Sequence, residues 1–370
     1  MKVAIVGGGI AGALLAWRLN RYAGITVEIF LGGRPAPADA TGASGGLVRA
    51  YEPDLRACQV AAESQAELLG SATLRDLSGY REVGSVYLAC PAVDPAGALA
   101  TIADLVPGSA VAASHAELAD RYPVRGLPQG TVGIVERRAG YLSPDRLRAS
   151  VLARVRAAIH DVAVAGVAPT PAVRLLDGTE QRFDAVVVAA GAWSAQLLAG
   201  AGVPQGGLRT KRIQYSVHAG CPVGLGAFVD ETSGLYGRPT GDGGMLVGLP
   251  SAEWDVDPRA GAPDRALADR VADGIRSRFG TPTCAPTASR TVASFDCYAD
   301  PPGLALRPAG AGSALFSFTG GSGGAAKTVL AASRRAARIC SGSARPPRDV
   351  APGSPVDDKR AISRHRALHS

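Results

Sequence analysis

Two glycine-rich turns hold the residues best placed to do chemistry. Gly7-Gly8-Gly9-Ile10-Ala11-Gly12 fits the spacing G-x-G-x-x-G and follows the apolar run Val3-Ala4-Ile5-Val6. Glycines so spaced allow a tight turn, let the backbone approach a pyrophosphate, and let a helix pack closely on a strand. The free N–H groups and positive dipole end of the following helix then face the phosphates. The second turn, FTGGSGGAAK, runs from Phe318 to Lys327 near the far end of the chain. It too offers a helix N-terminus to negative charge.

The elements that must position these turns can be read from the apolar pattern. Val3–Val6 predicts a buried parallel strand, and residues 13–21 carry helical spacing through Leu14, Leu15, Trp17, Arg18 and Leu19. Residues 25–31 predict a second strand, giving the strand–turn–helix–strand context that the glycine motif needs. At its end an acid is expected for a ribose hydroxyl, but the count falls on Leu31, with Glu28 inside the strand and Arg34 just beyond. Residues 183–188 predict another buried strand that turns out through small residues. Ser143 and Pro144 predict a helix start, as cap and first position. Residues 314–318 predict the strand before the second turn, with a helix from Ala325 onward.

Composition narrows the class. With 46% hydrophobic and 19% charged residues among 370, a packed core is within reach. No apolar run reaches a membrane-spanning length. The apolar stretch after Lys2 is broken by three glycines, so it is read as strand, turn and helix rather than as a signal peptide. Six cysteines lie without C-x-x-C or Cys/His clustering, which argues against zinc and disulfide scaffolds and favours a reduced, cytoplasmic setting. The net charge of +7 lies partly in residues 341–370, expected to form a poorly ordered tail. No basic patch interleaved with aromatics suggests nucleic acid.

Taken in order, the N-terminal loop, residues 40–52, residues 140–147, VVVAAGAWS (residues 186–194) and residues 318–327 resemble the D-amino acid oxidase superfamily of FAD enzymes. Within it, the chain looks like the branch holding glycine oxidase and monomeric sarcosine oxidase. It covers most of the chain, up to about Cys340, more loosely in the substrate half. The resemblance implies a Rossmann-like α/β FAD-binding domain joined to a mostly antiparallel substrate domain. FAD-binding segments are expected at 1–79, 139–201 and 287–340, and substrate segments at 80–138 and 202–286. It implies FAD contacts at Gly7, Gly9, Ile10, Ala11, Gly12, Arg34, Ser44, Gly45, Gly46, Leu47, Val164, Ala190, Gly191, Trp193, Gly321, Ser322, Gly323, Gly324 and Ala325.

The resemblance also implies substrate residues. Lys327 and Arg49 fall at or near the carboxylate-binding cations of monomeric sarcosine oxidase, and a pair of cations suits one carboxylate. Tyr236 matches an active-site tyrosine of glycine oxidase, where it could donate to the carboxylate. Three positions depart from the pattern. Ser294 falls about where sarcosine oxidase links its flavin through cysteine, with Cys297 nearby, so FAD is expected to be non-covalent. Asp296 falls where glycine oxidase has a carboxylate-binding arginine, and could instead hold an ammonium. Leu246 falls where sarcosine oxidase has its oxygen-activating lysine.

The implied reaction is oxidation of an amino acid amine, a secondary amine or N-substituted glycine being favoured. Hydride passes from the α-carbon to flavin N5, the imine hydrolyses, and O2 reoxidises the flavin to give H2O2. The alternatives are a flavin monooxygenase acting on an amine, and a dehydrogenase subunit or degenerate flavoprotein. The sequence leaves the oligomeric state open.

Overall fold

The structure is a computed structural model. It describes residues 1–32, 39–91, 93–204, 207–220, 222, 224–259, 261–280, 288–310 and 312–342. Arg34 and the expected tail from residue 343 onward lie outside the described residues.

A six-stranded sheet carries the two glycine turns. Its order is Ala305–Pro308, Leu315–Thr319, Ala185–Val188, Lys2–Val6, Thr26–Phe30 and Ala158–His160. The last five run parallel and the edge strand Ala305–Pro308 runs antiparallel. In register, Ile5 lies between Val187 and Ile29. These central strands are buried on both faces, which is why they read as unbroken apolar runs rather than as alternation. One face packs against the helices Ile10–Leu19 and Ala325–Cys340 through Leu14, Leu15, Val329 and Leu330. The other packs through Val186 and Val188 against Val167 and Val173 of a small antiparallel sheet.

An eight-stranded, mostly antiparallel sheet forms the second layer. Its order is Ala288–Tyr298, Arg209–His218, Met245–Gly248, Tyr236–Pro239, Ala227–Asp230, Ser85–Ala89, Val132–Glu136 and Ala110–Ala113. Only Ala227–Asp230 and Ser85–Ala89 pair in parallel. The strand Ala288–Tyr298 departs from the expected boundary, which grouped it with the FAD-binding segments. It pairs with Arg209–His218 along its length, from Arg209 opposite Tyr298 to His218 opposite Ala288. Its first half is largely open to solvent and its second half, Ser294 to Cys297, is buried. At its end Tyr298 bridges to Gly321, so the large sheet is tied directly to the second glycine turn.

The loop at residues 39–46 crosses between the two sheets. Leu142 N–H donates to Gly46 O at 2.9 Å, and just beyond, the Ser143 hydroxyl caps the helix Pro144–Leu152 by accepting from Arg146 N–H. Gly46 has φ +66°, and a Cβ there would lie 2.0 Å from Leu142 O. Left-handed backbone and backbone contact both require glycine at this point. Gly46→Ala should therefore cost about 2–4 kcal/mol of stability, from strain plus overpacking. Urea unfolding checks this, and an unchanged midpoint would contradict the loop geometry.

Candidate active site

Two helix N-termini open toward one region. The helix Ile10–Leu19 starts at Gly9 and the helix Ala325–Cys340 starts at Gly324. Neither has a side-chain cap at its first residue, and neither has an acid in its first turn. At the first, Ile10 N–H donates to the Thr41 hydroxyl at 3.0 Å. Gly7 (φ +119°) lets the turn cross Ala189, whose carbonyl would lie 2.4 Å from an added Cβ. Gly12 packs as tightly on Gly7 O. Beside that crossing Gly191 has φ +54° and open space where a side chain would project. Close backbone, helix N-termini without acids in their first turns and adjacent space are what a dinucleotide needs, so these residues fit FAD.

Between the helix ends lies a cleft of about 300 Å3. It is lined from Ile10 and the loop around Ser44, Gly45, Gly46 and Leu47 across to Ser322, Gly323, Ala325 and Lys327. Arg49, Tyr236 and Asp296 complete the expected substrate residues on its walls. The cleft thus brings together residues from separate stretches of chain.

The two cations do not stand alone. Glu52 lies between them, with Arg49 Nη1 at 2.9 Å from Glu52 Oε1 and Lys327 Nζ paired to the same oxygen. Burial raises the Glu52 carboxyl, but Arg49 and then Lys327 outweigh it and hold it below its ordinary value. Burial, then Arg49, lowers the Lys327 ammonium, while Glu52 opposes. Behind the cluster the buried Glu136 carboxyl accepts N–H bonds from Ala50 at 2.8 Å and Tyr51 at 2.9 Å, which fixes the segment carrying Arg49 and Glu52. The Arg49 guanidinium also sits 4.7 Å from the centre of the Tyr87 ring. Sequence reasoning missed Glu52. Its spacing three residues after Arg49 was visible, but its pairing with Lys327 was not.

Asp296 lines the same cleft beside Gly323. It is 4% exposed, and its Oδ2 has no hydrogen-bond partner among the described residues. Burial pushes its carboxyl up to about 7, with Lys211 opposing. Lys211 is its cross-strand neighbour, yet the ammonium rests over Trp254 at 4.6 Å and Tyr298 at 5.6 Å. Strand alternation puts Asp296 and Tyr298 on the cleft side and Cys297 in the core beneath Val188 and Leu315. The Tyr236 hydroxyl donates to Gln214 O at 3.2 Å, so the expected donor already has a backbone acceptor. Leu246 is buried and packs beside Gly45.

The family description "FAD dependent oxidoreductase" matches residues 2–339. The chain belongs to this family of FAD-dependent oxidoreductases. Among solved structures it is similar to L-proline dehydrogenase from P. horikoshii, with a TM-score of 0.76 at 16% identity, covering 91% of this chain and 92% of that one. Glycine oxidase from Geobacillus kaustophilus gives 0.73 at 16% identity, over 92% and 94% of the two chains. Iminodiacetate oxidase from Chelativorans sp. BNC1 gives 0.69 at 22% identity, over 92% and 96%. No curated protein matches by sequence.

For this oxidoreductase the remaining expected cofactor residues fall in two places. Ala190, Gly191 and Trp193 form the turn after Ala185–Val188, beside Gly7. Val164 opens the small antiparallel sheet, two residues after Val162, whose carbonyl accepts from Gly32 N–H at the end of the second strand. Leu31, where an acid was sought, lays its side chain on Gly8 instead. Glu28 is engaged by Lys2 at 2.6 Å and His160 at 2.8 Å. Among the described residues no helix is long and apolar enough to cross a membrane, and no trio of His, Cys, Asp or Glu is placed to hold a metal.

Glu52→Gln should lower stability by about 3 kcal/mol, because it strands two largely buried cations. Chemical denaturation reads this, and a loss below about 0.5 kcal/mol would place the pair in solvent-like surroundings. A second outcome follows from Asp296 and the groups around it, Lys211, Tyr236 and Tyr298. Between the ordinary carboxyl range and about 7, the folded protein holds this proton and the unfolded chain does not. Its contribution to stability therefore falls as pH rises through that window. Asp296→Asn should raise the melting temperature at pH 8 by a few degrees and leave it nearly unchanged at pH 4.

Proposed function

We propose that this FAD-dependent oxidoreductase oxidises the amine of an amino acid, with a secondary amine or N-substituted glycine favoured. The observation that carries this reading is the Arg49–Glu52–Lys327 cluster on the cleft wall. Two cations share Glu52, and burial pushes the Glu136 carboxyl behind them toward its neutral form, leaving a net positive charge beside the N-terminus of the last helix. A substrate carboxylate would complete the charge balance there, with Arg49 offering fork geometry and Lys327 a point charge. Similarity to proteins that act on glycine and on iminodiacetate, itself an N-substituted glycine, supports the same class.

FAD, when bound, supplies the acceptor for the hydride lost from the substrate α-carbon. The protein's part is positioning. The carboxylate pole fixes one end of the substrate, and the apolar and aromatic walls from Leu47, Ile213 and Tyr215 hold water away from the reacting carbon. The imine product hydrolyses, and the electrons pass to O2 to give H2O2. FAD is held non-covalently in this reading. Cys297 faces the core and Ser294 has a hydroxyl where a thioether link would need sulfur.

The test is anaerobic mixing of the purified protein with a panel of N-substituted glycines and free amino acids, followed by air. At least one should bleach the flavin absorbance, and air should restore it with one H2O2 per turnover. A flavin that no amine bleaches would overturn the reading. Bleaching without recovery in air would make the protein a dehydrogenase. Lys327→Met should raise KM for the reactive substrate about 10–100-fold, the scale of one hydrogen bond to a charged group.

A further inference from the structure

Resting on the amine-oxidation reading, we propose that the substrate carries a second nitrogen, protonated at neutral pH and distal to the reacting amine, which docks on Asp296. The cleft has two poles of opposite sign, and they meet at consecutive glycines. A Cβ on Gly323 would lie 3.2 Å from Asp296 Oδ2, and a Cβ on Gly324 would lie 3.2 Å from Lys327 Nζ. One turn of chain therefore separates the carboxylate-binding pole from a buried carboxyl. A ligand lying along the cleft meets both.

A buried carboxyl with an unpartnered oxygen is costly unless something completes it. The protein does not complete it from its own side chains. Lys211 stands opposite on the neighbouring strand but turns to the faces of Trp254 and Tyr298, and makes no ion pair with Asp296. A metal is not indicated, since no trio of ligating side chains converges among the described residues. A substrate carboxylate is repelled. A cationic nitrogen is attracted, and the rings of Tyr236 and Tyr298, which line the same cleft as Asp296, offer faces that favour a cation.

The nitrogen is not the reacting one. An amine must shed its proton before its α-carbon can release hydride, and a carboxylate against it would favour the ammonium. Asp296 thus serves the reaction best with a different nitrogen, further along the substrate. The class is a diamino or guanidino acid whose reacting amine bears a substituent. Specificity would come from charge: a neutral isostere leaves Asp296 buried and unpaired, which is the stronger form of discrimination.

Two compounds differing only in that group make the test: N2-methyllysine and N-methylnorleucine, each in both enantiomers. The wild-type holoenzyme should favour the lysine compound in kcat/KM by about tenfold or more. In Asp296→Asn the ratio should fall to near one, and Asp296→Glu should keep part of it. Binding of lysine against norleucine, read from the shift of the flavin spectrum, gives the same comparison without turnover. A wild-type ratio at or below one, or a ratio that Asp296→Asn leaves unchanged, overturns the proposal. If Asp296→Asn does not fold with FAD, the wild-type ratio decides. If no amine of any kind reduces the flavin, the oxidation reading fails, and the binding comparison alone still decides whether Asp296 receives a cation.

Discussion

Glu52 is the residue on which the proposed carboxylate-binding end of the cleft depends. It lies between Arg49 and Lys327, which come from segments more than 270 positions apart, and it holds both in one place. Without it, two largely buried cations would repel each other in a medium that screens them poorly. Glu136 supports the arrangement from behind by accepting the Ala50 and Tyr51 N–H groups. The result is a preorganised positive pole, not a pair of mobile surface charges. That pole adjoins the end of the helix Ala325–Cys340, so side-chain charge and helix dipole act in the same direction.

The sheets explain why such distant residues meet. The parallel sheet ends at the two glycine turns, where ligands of open α/β sheets bind. The antiparallel sheet reaches back through Tyr298, which bridges to Gly321. Pairing with Arg209–His218 along the same strand sets Asp296 opposite Lys211. Alternation along the same strand sends Cys297 into the core. A shift of one residue in register would exchange the two, placing a thiol in the cleft and a carboxyl in the core.

What the sequence revealed was what is local. The first glycine motif was legible because its turn, strand and helix occupy about 30 consecutive residues with the periodicities each needs. The helix start at Ser143 and Pro144 was legible for the same reason. The pairing of the strand Ala288–Tyr298 was not legible because its partner, Arg209–His218, lies far away in sequence and nothing local names it. Likewise the pairing of Arg49 and Lys327 through Glu52 could not be read from the sequence, because it joins segments far apart in the chain. Leu31 was seen as a missing acid. In the structure it packs on Gly8, a contact that only the folded turn creates.

The central claim is that a carboxylate binds at Arg49 and Lys327 beside the flavin. The most direct measurement is a titration of the holoenzyme with acetate, read from the visible flavin spectrum in wild type and in Lys327→Met. A saturable shift in wild type that weakens about tenfold or more in the variant is the expected result. Equal affinity in the two proteins, with both retaining FAD, would contradict the assignment.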